Sequence, residues 1–306
     1  MSTFAVSLAP ILVLILAGYG LKRLRFLPGE FWSGMEKLTY FVLLPALLVH
    51  TLGKQNLVNS PWPSMVVVIF GTVLISASAL VLYFVIQKSV SGPTFTSIFQ
   101  GGVRFNSYIA LAVAQGLYGA EGLRLTSVAM GFMVVLMNLL CVLALVRWGA
   151  TGVRGTKPFV REVIRNPLII ACAIGWFLSV SEIGLPGVAE EVLVFISKAA
   201  LPIGLLVVGS ALKPELVRGH FKAITVASAA QYVLKPLLVA LLVSITGLAG
   251  TAASVLFIAF MTPTATSSYI LARQMGGDAE TMASIVTFQT MLGFIAMPVI
   301  AALVLV

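Results

Sequence analysis

The chain is dominated by long apolar stretches that follow one another with only short connections between them. A helix that crosses a bilayer needs about 20 predominantly apolar residues. Ten stretches meet or approach this length, and we number them spans 1 to 10, at residues 3–24, 31–52, 63–87, 94–118, 122–147, 167–181, 188–211, 221–246, 250–273 and 280–305. They fill nearly all of the 306 residues, which predicts an all-α polytopic membrane protein with ten transmembrane helices. Span 6 is short, so we expect its helix to extend slightly at both ends.

The composition excludes several other classes of protein. Only 9% of the residues are charged, against about 25% in soluble domains, and the mean hydropathy is +1.07. A soluble globular fold and a disordered chain are therefore excluded. The net charge of +9 does not indicate nucleic-acid binding, because the basic residues are scattered among apolar runs instead of forming one basic face. Cys141 and Cys172 lie in apolar stretches and are predicted to be small buried hydrophobes.

Basic residues are distributed unequally between the two sides of the predicted membrane. The loops after the odd-numbered spans contain Lys22, Arg23, Arg25, Lys88, Arg147, Arg154, Lys157, Arg161, Arg165, Lys213, Arg218, Lys222 and Arg273. The loops on the other side contain only Lys54 and Arg124. By the positive-inside rule the richer side is cytoplasmic, and both termini are predicted to be extracytoplasmic.

The two halves of the chain share a pattern at an offset of 157 residues. This offset pairs Pro10 with Pro167, Gly18 with Gly175, Leu44-Pro45 with Leu201-Pro202, and Gly119 with Gly276. We interpret residues 1–152 and 153–306 as two five-helix repeats. Because five is odd, the second repeat enters the membrane inverted, which is a transporter architecture. A channel built on the same duplication remains an alternative.

Spans 4 and 9 contain polar residues and helix breakers near the middle of the membrane. In span 4, Gly101 and Gly102 precede Arg104, Asn106 and Ser107. In span 9, Pro263 lies among hydroxyl side chains, and the 157-residue offset pairs it with Asn106. Broken helices are tolerated at membrane depth only inside protein or beside a wet cavity, and their N-termini favour anions. The predicted substrate-binding residues are Arg104, Asn106, Ser107, Thr262, Pro263, Thr264, Ser267 and Ser268.

Charges within the spans are mostly positive. Lys37, Arg104, Lys198 and Lys235 lie within spans, and Glu36 is the acidic residue that clearly shares this environment. A charge in the membrane is costly unless it is compensated, so this excess favours an anionic substrate. Lys37 is expected to extend towards the interface, and Lys198 to do so or to reach a cavity. Arg104 could hold a carboxylate through two parallel hydrogen bonds.

Two runs of residues resemble a known transporter family. The run from Thr262 to Asp278, which begins Thr-Pro-Thr-Ala-Thr-Ser-Ser-Tyr, is similar to the auxin efflux carrier family, as is the run from Arg104 to Tyr108 followed by Gly119. Bacterial members of this family are linked with small carboxylates such as malate and malonate. The resemblance thus implies a carrier in a bacterial inner membrane. The plant PIN-FORMED exporters of this family carry a proline in both crossover helices, whereas this chain has Phe105-Asn106 in the first one. This difference argues against auxin as the substrate.

The family also resembles the bile acid sodium symporters in fold. That resemblance implies a scaffold domain of spans 1, 2, 6 and 7 and a mobile transport domain of spans 3–5 and 8–10, with a crossing that joins Asn106 to Pro263. Those symporters hold sodium near the crossing. We expect Lys235 to act there as a tethered cation, while Gln100, Gln231 and Gln289 could equally line a true ion site.

The function predicted from these observations is secondary transport of a small organic anion by alternating access. An anion channel and a sodium-coupled symporter are the alternatives, and coupling to protons or sodium stays open. The chain lacks the zinc-protease, nucleophile-elbow and P-loop motifs, so we expect neither an enzyme nor a bound cofactor. The expected partners are the bilayer and the anion, with no nucleic acid; a homodimer is left open.

Overall fold

The computed structural model describes residues 2–54, 61–150, 164–181, 183–185, 187–217 and 219–304, which are predominantly helical and contain no strand. The prediction of an all-α protein is confirmed. The helices are α1 (Ser2–Arg23), α2 (Gly29–Leu38), α3 (Leu44–Gly53), α4 (Trp62–Ile86), α5 (Gly92–Val103), α6 (Ser107–Trp148), α7 (Pro167–Val180), α8 (Gly187–Ser210), α9 (Phe221–Ala229), α10 (Lys235–Thr246), α11 (Gly250–Met261), α12 (Ser267–Met275) and α13 (Ala279–Val304).

Much of this helical structure is long and apolar enough to cross a membrane. Within the described residues, the qualifying runs are Val6–Arg23, Gly29–Gly53, Trp62–Ile86, Gly92–Trp148, Gly187–Ser210, Phe221–Thr246 and Ala279–Val304. Helices α7 and α11 are apolar but shorter. The protein is therefore an integral membrane protein with several apolar helices.

Two predicted spans contain a π-helical turn just before a proline. Residues Thr39–Leu43 join α2 to α3, and Ala230–Leu234 join α9 to α10. Pro45 and Pro236 follow at the second position of α3 and α10. Proline has no N–H and its ring clashes with the carbonyl four residues earlier. A wider π-helical turn accommodates this clash without ending the helix.

The chain leaves helical geometry at both of the predicted breaks. Helix α5 ends at Val103, and α6 begins at Ser107 with Asn106 as its N-cap, whose Oδ1 accepts a hydrogen bond from the Ile109 N–H at 3.1 Å. Helix α11 ends at Met261, residues 262–266 are not helical, and α12 begins at Ser267.

Gly101 and Gly102 lie inside α5 and not at the break. A Cβ on Gly101 would lie 2.7 Å from an Ile285 side-chain atom, and one on Gly102 would lie 2.8 Å from a Leu80 side-chain atom. These glycines therefore serve close helix packing.

Helix α6 bends at Gly119, between predicted spans 4 and 5. The glycine has φ 57° and ψ −140°, which residues with a Cβ rarely adopt.

The expected extension of span 6 is wrong at both ends. Asn166 starts α7 at Pro167, because its Oδ1 accepts hydrogen bonds from the N–H groups of Leu168 and Ile169 at 3.0 and 3.3 Å, and the helix ends at Val180.

Helix contacts divide much of the structure into two groups. In the first, α3 packs against α7 and α8, and α8 packs against α1. In the second, α5 contacts α4, α9 and α13, while α10 contacts α4 and α11. Helix α6 contacts both groups, and α1 also contacts α13. Small residues bring α1 close to α8, since a Cβ on Gly18 would lie 2.0 Å from the Leu206 carbonyl oxygen and one on Gly209 would lie 1.8 Å from that of Ile15.

Candidate functional site

The two non-helical segments, residues 104–106 (the first break) and residues 262–266 (the second break), lie against each other in the interior. The Asn106 N–H donates to Thr262 Oγ1 at 3.2 Å, and Thr262 Oγ1 in turn donates to the Ala259 carbonyl at 2.8 Å. Thr264 Oγ1 donates to the Gln100 carbonyl at 3.1 Å. The Asn106 N–H, which the first break frees, is thus bonded by a residue of the second break, and the Thr264 hydroxyl adds a bond to a carbonyl that also accepts from the Arg104 N–H at the end of α5.

A buried lysine lies beside the same crossing. Lys235 has 0% exposure, and its Nζ donates to the Val103 and Arg104 carbonyls at 3.3 and 3.1 Å. These carbonyls lie at the C-terminal end of α5, where the backbone leaves the helix. Lys235 Nζ also donates to Gln231 Oε1 at 2.6 Å. Gln231 Nε2 donates to the carbonyls of Phe260, at 3.2 Å, and Thr262, at the end of α11.

Gln289 forms a second bridge between the breaks, from α13. Its Nε2 donates to the Gly101 carbonyl at 3.0 Å, and its Oε1 accepts from the Thr264 N–H at 3.0 Å. The Gln100 side-chain amide is buried, and neither its nitrogen nor its oxygen has a hydrogen-bond partner within the described part of the chain. The backbone at the breaks is therefore bonded by the side chains of Lys235, Gln231 and Gln289. Gln100 takes part only through its backbone carbonyl.

A cavity of about 1060 Å³ borders the crossing. Of the predicted substrate-binding residues, its lining includes Arg104, Asn106, Ser107 and Ser267. The other predicted residues, Thr262, Pro263, Thr264 and Ser268, are buried and do not line the cavity. The structure thus separates the residues that hold the two breaks together from those that face open space.

The cavity carries mostly positive charge. Arg104, Lys37 and Arg165 line it, and Glu36 is the acidic residue in its lining. Arg104 Nη2 donates to Ser267 Oγ at 3.3 Å, which connects the first break to the start of α12. Lys198 does not line the cavity; it is exposed, and its Nζ lies 5.7 Å from the Phe195 ring centroid.

Three helices begin at the cavity. The first residues of α6, α7 and α12, namely Ser107, Pro167 and Ser267, all belong to its lining. Helix N-termini present N–H groups without intrahelical partners and the positive end of the helix dipole. Together with the arginines, they create an environment that favours an anion.

Several lining residues were not predicted from the sequence. These are Glu36, Tyr40, Tyr108, Asn138, Arg165 and Asn166. Asn166 before Pro167 is a recognisable helix start, and Asn138 is a polar residue in an apolar span. Neither feature indicates by itself which cavity the residue faces, because the lining comes from helices distant in the sequence.

The run from Thr262 to Asp278 ends in a loop that docks onto α5. The Asp278 carboxylate accepts hydrogen bonds from Thr94 Oγ1 at 3.0 Å and from Thr281 N–H and Oγ1 at 3.0 and 2.6 Å. Burial alone would raise the pKa of Asp278, but these hydrogen bonds and nearby His220 outweigh burial and hold the pKa below its ordinary value.

This apolar helical fold, with two interrupted helices crossing beside a cationic cavity, is typical of membrane transporters. A sequence model of the family described as "Membrane transport protein" matches residues 3–301, so the chain belongs to that family. This confirms the resemblance to the auxin efflux carrier family. A protein described as an uncharacterized transporter from Methanothermobacter thermautotrophicus is 26% identical over 296 residues, which cover 94% of each chain. The family and this relative are transporters, not enzymes.

Proposed function

We propose that the protein is a secondary active transporter that moves a small organic anion, a carboxylate, across the membrane by alternating access. The observation that carries this proposal is the position of Arg104. Its guanidinium lies at the first break, lines the cavity, and donates to Ser267 at the second break. Among the described residues, no carboxylate forms an ion pair with it. A substrate carboxylate could accept the two parallel hydrogen bonds that a guanidinium offers.

The proposed anion site is smaller than the set of residues predicted from the sequence. Arg104, Asn106, Ser107 and Ser267 contact the substrate directly, since they line the cavity. The backbone geometry of the second break is set by four residues that are buried and do not line the cavity: Thr262, Pro263, Thr264 and Ser268. Their replacement alters the geometry of the site without removing a substrate contact.

The proposed topology has ten spans in two inverted repeats, with both termini extracytoplasmic. Support comes from α6, whose 42 residues would extend about 63 Å as one straight helix, roughly twice the thickness of the hydrocarbon core. Its bend at Gly119 falls between predicted spans 4 and 5. In this orientation Lys37, Arg165 and Gln274 lie near the cytoplasmic ends of their spans. The cavity that they line is therefore open towards the cytoplasm, in what we propose is a bacterial inner membrane.

Alternating access requires two bodies that move relative to each other. The helix contacts support a scaffold around α1, α3, α7 and α8 and a transport domain around α4, α5 and α9–α13. The crossing, with Arg104, belongs to the second body. Movement of this body against the scaffold would expose the anion site to the opposite side.

Lys235 takes the place of a coupling cation in this proposal. Its ammonium group and Gln231 together satisfy carbonyl oxygens at the C-terminal ends of both α5 and α11. A sodium ion at a helix break is held by the same kind of oxygen ligands. The carrier therefore does not need sodium to keep the two breaks together.

Counterflow in liposomes tests the proposed function. Purified protein is reconstituted into vesicles loaded with unlabelled malonate or malate, and uptake of the labelled anion is followed. A carrier gives saturable uptake that accelerates with the internal anion. Anion conductance without saturation or counterflow would instead indicate a channel and would overturn the proposal.

A further inference from the structure

Glu36 lines the same cavity as Arg104, and its carboxylate has no assigned role in anion binding. We infer that Glu36 is a proton-binding residue of the anion site, which takes up one proton when an anion binds and releases it when the anion leaves. This inference rests on the proposed function and adds a specific residue and a stoichiometry to it.

The carboxylate of Glu36 is partly buried at the cavity. Within the described residues it forms neither an ion pair nor a side-chain hydrogen bond. Lys22 is within electrostatic range, but its Nζ donates to the Ser210 carbonyl at 2.6 Å. Among the described residues, no fixed ion pair therefore keeps this carboxylate of the cavity lining permanently ionised.

Among the described residues of the cavity lining, Glu36 is acidic and the other charged residues are basic. Lys37 is its neighbour on α2, Arg104 comes from the first break, and Arg165 precedes α7. The titratable hydroxyls of Tyr40 and Tyr108 also belong to the lining. Helix α8 packs against α2 and contributes Val207, while its charged residues, Glu190, Glu191 and Lys198, are absent from the lining.

An ionised Glu36 and a bound anion repel each other across this cavity. Protonation removes the repulsion and converts the carboxyl group into a hydrogen-bond donor, which an anion can accept from. The proton comes from the solution that fills the cavity and returns to it when the anion leaves. No bond other than the O–H bond of Glu36 forms or breaks. A monoanion that enters with one proton leaves the net charge of the cavity unchanged, and a dianion that enters with one proton adds one negative charge.

Proton uptake on binding can be measured directly with malonate as the probe. Titration calorimetry at pH values above both pKa values of malonate, in two buffers of different ionisation enthalpy, gives the number of protons taken up per malonate bound. We expect about one proton for the wild type, with a Kd that rises about tenfold per pH unit above the titration of Glu36. In Glu36→Gln, we expect no proton uptake and a Kd that does not depend on pH.

Two further variants control for structural damage. Glu30→Gln removes an exposed carboxylate from the first turn of the same helix, outside the cavity, and should behave as the wild type. Glu36→Asp retains a titratable group and should retain proton uptake. If Glu36→Gln binds malonate with the proton uptake and pH dependence of the wild type, Glu36 is not the proton-binding group. If the wild type binds neither malonate nor any other organic anion of a panel, the proposed function itself is wrong.

Discussion

Lys235 and Gln231 lie one turn apart, and the 2.6 Å hydrogen bond from Lys235 Nζ to Gln231 Oε1 joins the two broken helices through a single pair of side chains. Lys235 bonds carbonyls at the end of α5, and Gln231 bonds carbonyls at the end of α11. The buried Lys235 side chain and the Gln231 amide thus supply partners that the broken backbones would otherwise lack.

Transport by the wild type should proceed in potassium buffers that contain no sodium. Lys235→Gln should lose most transport, or regain it only with sodium, because the carbonyls of Val103 and Arg104 lose their cationic donor. Uptake into liposomes at matched ionic strength measures both effects. Lys198→Gln removes an exposed lysine elsewhere and should have little effect. An absolute sodium requirement in the wild type would contradict the tethered-cation proposal and favour Gln100, Gln231 and Gln289 as ion ligands.

Arg104 should contribute most to substrate affinity. Hydrogen bonds to charged groups are each worth about 1.5–3 kcal/mol, so Arg104→Ala should weaken malonate binding by roughly tenfold to a hundredfold or more. Arg104→Lys keeps the charge but loses the planar fork and should also be severely impaired. Binding can be followed by ligand-induced thermal shift. Arg273→Lys, on an exposed position of α12 outside the cavity, is the matched control. Unchanged affinity in Arg104→Ala would leave Arg104 a purely structural cation.

Cysteines introduced at residues 2 and 305 should react with an impermeant maleimide added to intact cells, because both termini are proposed to be extracytoplasmic. Ser89→Cys, in a proposed cytoplasmic loop, should react only after the membrane is permeabilised. The native Cys141 and Cys172 are buried and should give little background. Protection of both terminal cysteines in intact cells would reverse the topology and the orientation of the cavity.

Gly209→Ala should destabilise the contact between α1 and α8. The new Cβ would meet the Ile15 backbone at 1.8 Å, which side-chain rearrangement cannot relieve. Overpacking of this kind costs about 1–3 kcal/mol and should lower the melting temperature in detergent. Gly20→Ala adds a methyl group to the same α1 helix where nothing lies within 4 Å, so its melting temperature should stay near that of the wild type. Equal stability of the two variants would show that α1 and α8 do not pack this closely.

Acid should destabilise the docking of the Asp278 loop onto α5. The folded pKa of Asp278 lies below its ordinary value, so the stabilisation is present above the ordinary pKa and is lost as the pH falls through the folded pKa. Asp278→Asn should therefore be less stable than the wild type at neutral pH and should lose less stability on acidification. Melting temperatures measured from neutral to acidic pH test this. Glu280→Gln, two residues away, should keep the acid sensitivity of the wild type.

The sequence predicts the helices much better than it predicts the cavity. Apolar runs and the breakers around Asn106 and Pro263 are local signals, and most helical runs begin and end within a few residues of the predicted spans. The exceptions are α6, which continues across the predicted gap between spans 4 and 5, and the π-helical turns within spans 2 and 8. Which polar residues face open space depends on how distant helices pack. Thr262, Thr264 and Ser268 share their local pattern with Ser267, yet only Ser267 lines the cavity. Glu36 and Asn166 enter the lining because α2 and α7 are brought to the crossing by tertiary contacts.

The two breaks differ in what keeps them open. Pro263 lacks an N–H, so a continuous helix through the second break would lose a backbone hydrogen bond and clash with the preceding turn, and the covalent chain fixes this constraint. Arg104, Phe105 and Asn106 all keep their N–H groups, and nothing in their chemistry forbids a helix. The first break persists because Lys235 holds the freed carbonyls and Thr262 accepts from the Asn106 N–H. Loss of these contacts would let α5 and α6 join into one continuous helix, so the first break depends on its tertiary contacts, whereas the second keeps the covalent constraint of Pro263.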